Sequence, residues 1–199
     1  MLELALHILD IAENSVRAGA GTVFIEIVED RVLDRLEIVI RDDGTGMDAA
    51  TVQRAMDPFY TSKKVRRVGL GLPMLQEAAI RAGGSFSIDS QVGVGTRVTV
   101  QFQLSHMDRQ PLGDLTGALL ALVAGNADVD FVCRHECGGR VFTLDTREIR
   151  REIGDIPLNH VEVLKFIRQH LTEGLKEIGT EARIAHYLKE DTIHECGKQ

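Results

Sequence analysis

The chain has 199 residues, 44% of them apolar, with three cysteines and a net charge of −7 at neutral pH, enough apolar content for one large core or two small ones. The odd cysteine count excludes a fully paired disulfide framework, and the negative charge argues against a surface built to coat nucleic acid. No apolar run reaches the roughly 20 residues of a membrane-spanning helix, and the apolar N-terminus has no basic leader, so a cytoplasmic protein is expected.

Residues 4–20, LALHILDIAENSVRAGA, open the chain with helical periodicity. Leu2, Leu6, Leu9 and Val16 share one face, Leu4, Ile8 and Ile11 widen it, and Glu3, His7, Asp10, Asn14 and Arg17 form a polar stripe. Asp and Asn each cost roughly 0.5 kcal/mol or more against Ala inside a helix, so a stripe holding both calls for a role. Alternating patterns over residues 22–30 and 35–43 predict two strands, followed by the loop DDGTGM. Asp48 caps a helix to about Met56, residues 57–67 read as loop, and residues 69–84 read as a helix with Pro73 in its first turn and Gly83–Gly84 at its end. A hairpin follows, residues 85–90 and 96–104 around the turn QVGVG. This order predicts one mixed sheet covered by helices.

A polar stretch, residues 105–114, separates a second half. Here the pattern predicts a helix from about Leu112 to Val123 ended by Gly125, and a hairpin of residues 129–136 and 140–145 turning at Gly138–Gly139. A short helix capped by Asp145 or Thr146 and a longer one capped by Asn159 and reaching about Ile178 complete it. Val161, Leu164, Ile167, Leu171 and Leu175 line one stripe of that last helix, suited to a core or to a dimer partner.

Three glycine-rich turns, DGTG, GLGL and GVGT, sit at element boundaries, where a missing side chain lets backbone amides approach a ligand. GLGL opens a helix and follows Lys63, Lys64, Arg66 and Arg67, which makes an anion pocket on an acidic protein.

The ordered set ENSVRAGA, DDGTGM, DPFYTSK, GLGLPML and GVGTRVTV strongly resembles the Bergerat-fold ATPases, the superfamily of gyrase, the heat-shock chaperone ATPase, histidine kinases and mismatch-repair ATPases. The resemblance covers residues 1 to about 104 and is closest to the histidine-kinase-like ATPase domain, with ENSVRAGA nearer the mismatch-repair branch. It implies an α+β fold, a Bergerat α/β sandwich over residues 1–104, beside a small C-terminal α+β module over residues 105–199. It also implies ATP and magnesium as cofactors. Asn14 then matches the asparagine that holds magnesium through its side-chain oxygen, a fitting donor for a hard cation. Asp10, one turn earlier, stands where hydrolytic members carry a glutamate that activates water. Its carboxylate is about 1.5 Å nearer the backbone than a glutamate's, so slow hydrolysis is expected. Glu13 is the second candidate base, and His7 is read as a structural histidine. Asp42 matches the acceptor of the adenine amino group, Gly44 and Gly46 shape its loop, and Thr96 matches the hydroxyl that completes the adenine site. Lys63 and the amides of Gly69, Leu70, Gly71 and Leu72 match the phosphate contacts, with Arg66 or Arg67 in the lid. Asp43 reads as solvated, Phe59 and Tyr60 as packing.

Cys133, His135, Cys137, His194 and Cys196 offer soft ligands to zinc or an iron–sulfur centre. Cys133 and His135 share a strand face with Val129 and Phe131, Cys137 falls in the turn, and the spacing is not that of a zinc knuckle, so ordinary packing is expected. Three function classes stay open: an ATP-driven switch with slow ATPase activity acting on a protein partner, a kinase phosphorylating a partner, and a sensor that binds nucleotide without turnover. The expected partners are ATP and an unidentified protein, with a homodimer possible and neither nucleic acid nor membrane.

Overall fold

The computed structural model describes residues 3–57 and 71–180. In chain order these form α1 (Leu4–Arg17), β1 (Thr22–Asp30), β2 (Arg35–Asp42), α2 (Ala49–Ala55), α3 (Gly71–Arg81), β3 (Ser85–Gln91) and β4 (Gly95–Gln103). They continue through α4 (Leu115–Gly125), β5 (Asp130–Cys137), β6 (Arg140–Asp145), α5 (Thr146–Ile153) and α6 (Val161–Ile178). The strands make one sheet, β3-β4-β2-β1-β5-β6, in which β1 and β5 run parallel and every other pair is antiparallel. Together with its helices this is the expected α+β arrangement.

Alternation in the strands fixes which face is buried. Val23, Ile25 and Ile27 of β1 face the helices with Leu36, Ile38 and Ile40 of β2, and Phe24, Glu26 and Val28 face outward. The β1–β2 turn is held by Asp30 Oδ1, which accepts from the amides of Val32 and Leu33, both at 2.9 Å. β5 pairs along β1 from Thr22↔Asp130 to Glu29↔Cys137. Residues 105–180 therefore share the sheet of the first half: without β5, that edge of β1 would present a row of unpaired amides and carbonyls. The core is likewise continuous, joining Leu4, Ile8 and Phe102 to Leu115, Leu119 and Phe131.

Local differences from the sequence expectation have physical causes. The buried face of α1 is Leu4, Ala5, His7, Ile8, Ile11, Ala12 and Ser15, whereas Leu6 is exposed and Leu9 and Val16 are half-buried. Leucine count misplaces the face because α1 is covered on two sides, by the sheet and by α4. α4 begins at Leu115, where Asp114 accepts from Gly117 N at 2.7 Å; the preceding carbonyls of Pro111 and Leu112 instead accept from Leu4 N and Ala5 N, at 3.0 and 2.8 Å. The second half thus satisfies the orphan donors at the start of α1. His160, not Asn159, caps α6. Cys137 is the last residue of β5 and buried, not a turn residue.

His7 is buried, and its Nε2 lies 3.1 Å from Gln110 Oε1 in the segment that caps α1. Desolvation by burial holds its pKa below the ordinary value of 6.5, against the opposing effect of the hydrogen bond to Gln110 Oε1. The unfolded chain therefore binds a proton that the folded chain refuses. Stability falls as the pH drops through 6.5 toward the lowered value and is whole above it. The urea midpoint should decline between pH 7.5 and 5.5, and His7→Gln should flatten that decline; an unchanged slope would remove His7 as its source.

Candidate functional site

The inward alternation of β2 ends on Asp42, whose carboxylate lies beneath the last turns of α1 and beside the start of β4. Three elements donate to it: Ser15 Oγ to Oδ2 at 2.6 Å, Gly44 N to Oδ1 at 3.0 Å and Thr96 N to Oδ1 at 3.2 Å. An ionised carboxylate has about four acceptor positions, so one remains for a further donor such as an amino group.

Glycine is required around this carboxylate. A Cβ on Gly46, at φ +64°, would lie 1.9 Å from the carbonyl oxygen of Gln91, and one on Gly95, at φ +126°, 2.0 Å from that of Asp42. Side chains there would fill the cradle between the DGTG and GVGT turns. Those turns are tied together by Gly93 N to Thr45 O at 2.8 Å, by Met47 N to Ser90 Oγ at 2.8 Å, and by the Ser90 and Thr96 hydroxyls 2.8 Å apart. Asp42, Gly44, Gly46 and Thr96, separated by up to 54 positions, are thus one constellation.

Asp10 and Asn14 lie along α1. The carboxylate of Asp10 rests on Gly71, the first residue of α3: a Cβ on Gly71 would be 1.8 Å from Asp10 Oδ2. The positive end of α3 favours an anion there. Asn14 is exposed, and its Oδ1 accepts from Arg17 Nη2 at 2.6 Å. The oxygen already faces a cation, which fits the donor a hard metal ion needs. Leu72 sits in the first turn of α3, partly buried against the core. Lys63, Gly69 and Leu70 lie outside the described residues, as do Phe59, Tyr60, Lys64, Arg66 and Arg67.

Two contributors escape sequence reasoning. Ser15 is buried and supplies the shortest bond to Asp42; its signal was a hydroxyl four residues after Ile11 on the apolar face. Asp43 is a structural anchor rather than a merely solvated residue, since its Oδ1 accepts from Gly21 N at 2.8 Å and Thr22 N at 2.9 Å and fixes the α1–β1 turn.

The cysteine group lies at the other end of β5. Burial pushes the Cys133 thiol up to about 12, which keeps it protonated at neutral pH. His135 Nε2 is 2.7 Å from Glu29 Oε1, and Cys137 Sγ is 3.6 Å from the carbonyl oxygen of Gly179. His194 and Cys196 lie outside the described residues.

The family described as "Histidine kinase-, DNA gyrase B-, and HSP90-like ATPase" matches residues 2–106. The tetrathionate sensor histidine kinase TtrS of Salmonella typhimurium is 35% identical over 89 residues, 43% of this chain and 15% of its own length. The sensor histidine kinase RcsC of Escherichia coli is 27% identical over 137 residues, 64% of this chain and 14% of its own length. The chain thus spans a small fraction of these relatives. Among solved structures, the Aquifex aeolicus MutL ATPase domain complexed with ADP superposes with a TM-score of 0.49 at 16% identity, covering 85% of this chain and 88% of that one. Among the described residues, no helix is long and apolar enough to cross a membrane.

Proposed function

The chain belongs to the histidine kinase-, DNA gyrase B- and HSP90-like ATPase family, with an ATP-binding domain of that kind over residues 2–106, and from this premise we propose a slow, magnesium-dependent ATPase whose nucleotide state switches its action on a partner protein. The observation that carries the reading is the Asp42 carboxylate held by Ser15, Gly44 and Thr96 beneath two glycine turns, with one acceptor position left.

The roles follow from that arrangement. Asp42 accepts the adenine amino group, and Ser15 fixes the orientation of the carboxylate. Gly44, Gly46 and Gly95 leave room for a planar base, and Thr96 borders it. Asn14, released from Arg17, holds magnesium, while Lys63 and the backbone of Gly69, Leu70, Gly71 and Leu72 meet the phosphates. Bound ATP with magnesium supplies a reactive γ-phosphoryl group. Asp10 takes a proton from the attacking water, from a side chain short by one carbon–carbon bond, and the rate is low accordingly. Residues 105–180, which cap the start of α1 through Pro111 and Leu112, pass the nucleotide state to the partner. Function in the cytoplasm and self-association belong to the same proposal.

The relatives named as sensor histidine kinases favour a second reading, phosphoryl transfer to a partner. Turnover of γ-labelled ATP by the full chain separates the two. The expected result is slow magnesium-dependent phosphate release that falls roughly 100-fold in Asp10→Asn, with ATP still bound and no label on the chain itself. Stable label on a co-purified protein, lost in Asp10→Asn, would decide for the kinase. Binding with no turnover at all would leave a sensor.

A further inference from the structure

The outer face of the sheet carries a second site. Cross-strand register places six outward residues in one row across all six strands: Asp89, Arg97, Arg41, Phe24, Val132 and Asp145. Arg41 and Arg97 are direct partners, both exposed. Like charges directly opposed in an antiparallel pair destabilise it.

Two other arginines at this face are neutralised, whereas Arg35, also outward on β2, forms no ion pair among the described residues. Arg134 is paired with Glu26 at 3.0 Å and Glu136 at 2.7 Å, and Arg147 with Asp145 at 2.6 Å. Arg41 and Arg97 form no ion pair among the described residues, although Asp89 stands opposite Arg97 in register. Arg41 lies over the Phe24 ring, Cζ 3.9 Å from its centroid, and Arg147 reaches the same ring at 5.5 Å. Two arginines outside any ion pair thus adjoin an aromatic ring on a protein of net charge −7, with Asp89 opposite Arg97.

We propose that the row Arg97–Arg41–Phe24–Val132 docks an acidic, extended segment of a protein partner. Carboxylates pair with the Arg97 guanidinium and with the Arg41 guanidinium stacked on Phe24, both able to make bidentate carboxylate bonds, and an apolar side chain rests on Val132 beside that ring. A nucleic acid is disfavoured, because its continuous charge would meet the acidic remainder of the surface. The strands that carry Asp42 and Thr96 toward the helices carry Arg41 and Arg97, one residue away, toward solvent. Partner docking and the inner carboxylate thereby share two strands, yet the docking surface stands whatever the inner face binds.

Fluorescence anisotropy of the full chain with a short fluorescein-labelled peptide of alternating glutamate and leucine tests this. Saturable, salt-sensitive binding is expected, weakened about tenfold or more by Arg41→Thr with Arg97→Thr, while ATP titration is unchanged. No saturable binding to the wild-type chain, or equal binding by the double variant, would overturn the proposal. So would a single-stranded oligonucleotide or inorganic phosphate displacing the peptide at equal charge. Loss of ATP binding in Asp42→Asn with peptide binding intact would bear on the nucleotide reading alone.

Discussion

Asp42→Asn should weaken ATP binding roughly 10- to 150-fold, the equivalent of one hydrogen bond to a charged group. The fold should survive. The asparagine oxygen can take the place of Oδ1 and keep the amides of Gly44 and Thr96, and the new NH₂ group then meets Ser15 Oγ, a hydroxyl able to accept as well as donate. What disappears is the negative charge and the acceptor position proposed for the adenine amino group. Calorimetric titration with ATP and magnesium, beside a urea unfolding curve, separates the two effects. Undiminished affinity in a folded Asp42→Asn chain would remove Asp42 from the adenine site.

Gly95→Ala should cost more than about 3 kcal/mol of stability and disrupt nucleotide binding with it. Its Cβ would sit 2.0 Å from the Asp42 carbonyl oxygen and 3.1 Å from Asp43 Cα, both backbone atoms, at a φ of +126°. No rotamer change relieves that overlap. β4 would have to leave β2 at the point where Thr96 N donates to Asp42. Gly93→Ala is the matched control: φ is +77° and no heavy atom lies within 4 Å of its Cβ, so only the left-handed backbone is penalised, about 1–2 kcal/mol. Equal unfolding free energies for the two variants would mean that the turn does not pack on Asp42 as described.

These outcomes rest on features of different legibility. The strands were readable because apolar alternation in β1 and β2 is a local pattern, and the caps at Asp48 and Asp145 because a short acceptor before a helix is a local device. The polar stripe of α1 was also legible, since Asp10 and Asn14 are poor helix formers placed one turn apart on it. Its buried face was not. Leu6 is exposed and His7 enclosed because the segment around Gln110, a hundred positions away, closes over that side.

Helix and strand succession and the glycine turns could be read from local pattern, because turns that need positive φ or close backbone approach admit few other residues. The motif set of the ATPase family could be read in the same way, since short segments with local chemistry carry it. That β5 lies parallel to β1, that Ser15 holds Asp42 and that Arg41 faces Arg97 emerges in the folded chain alone. Each of these is a pairing between distant segments. Local propensity sets how a strand alternates, but which strand lies beside it is decided by satisfying its edge and filling one shared core.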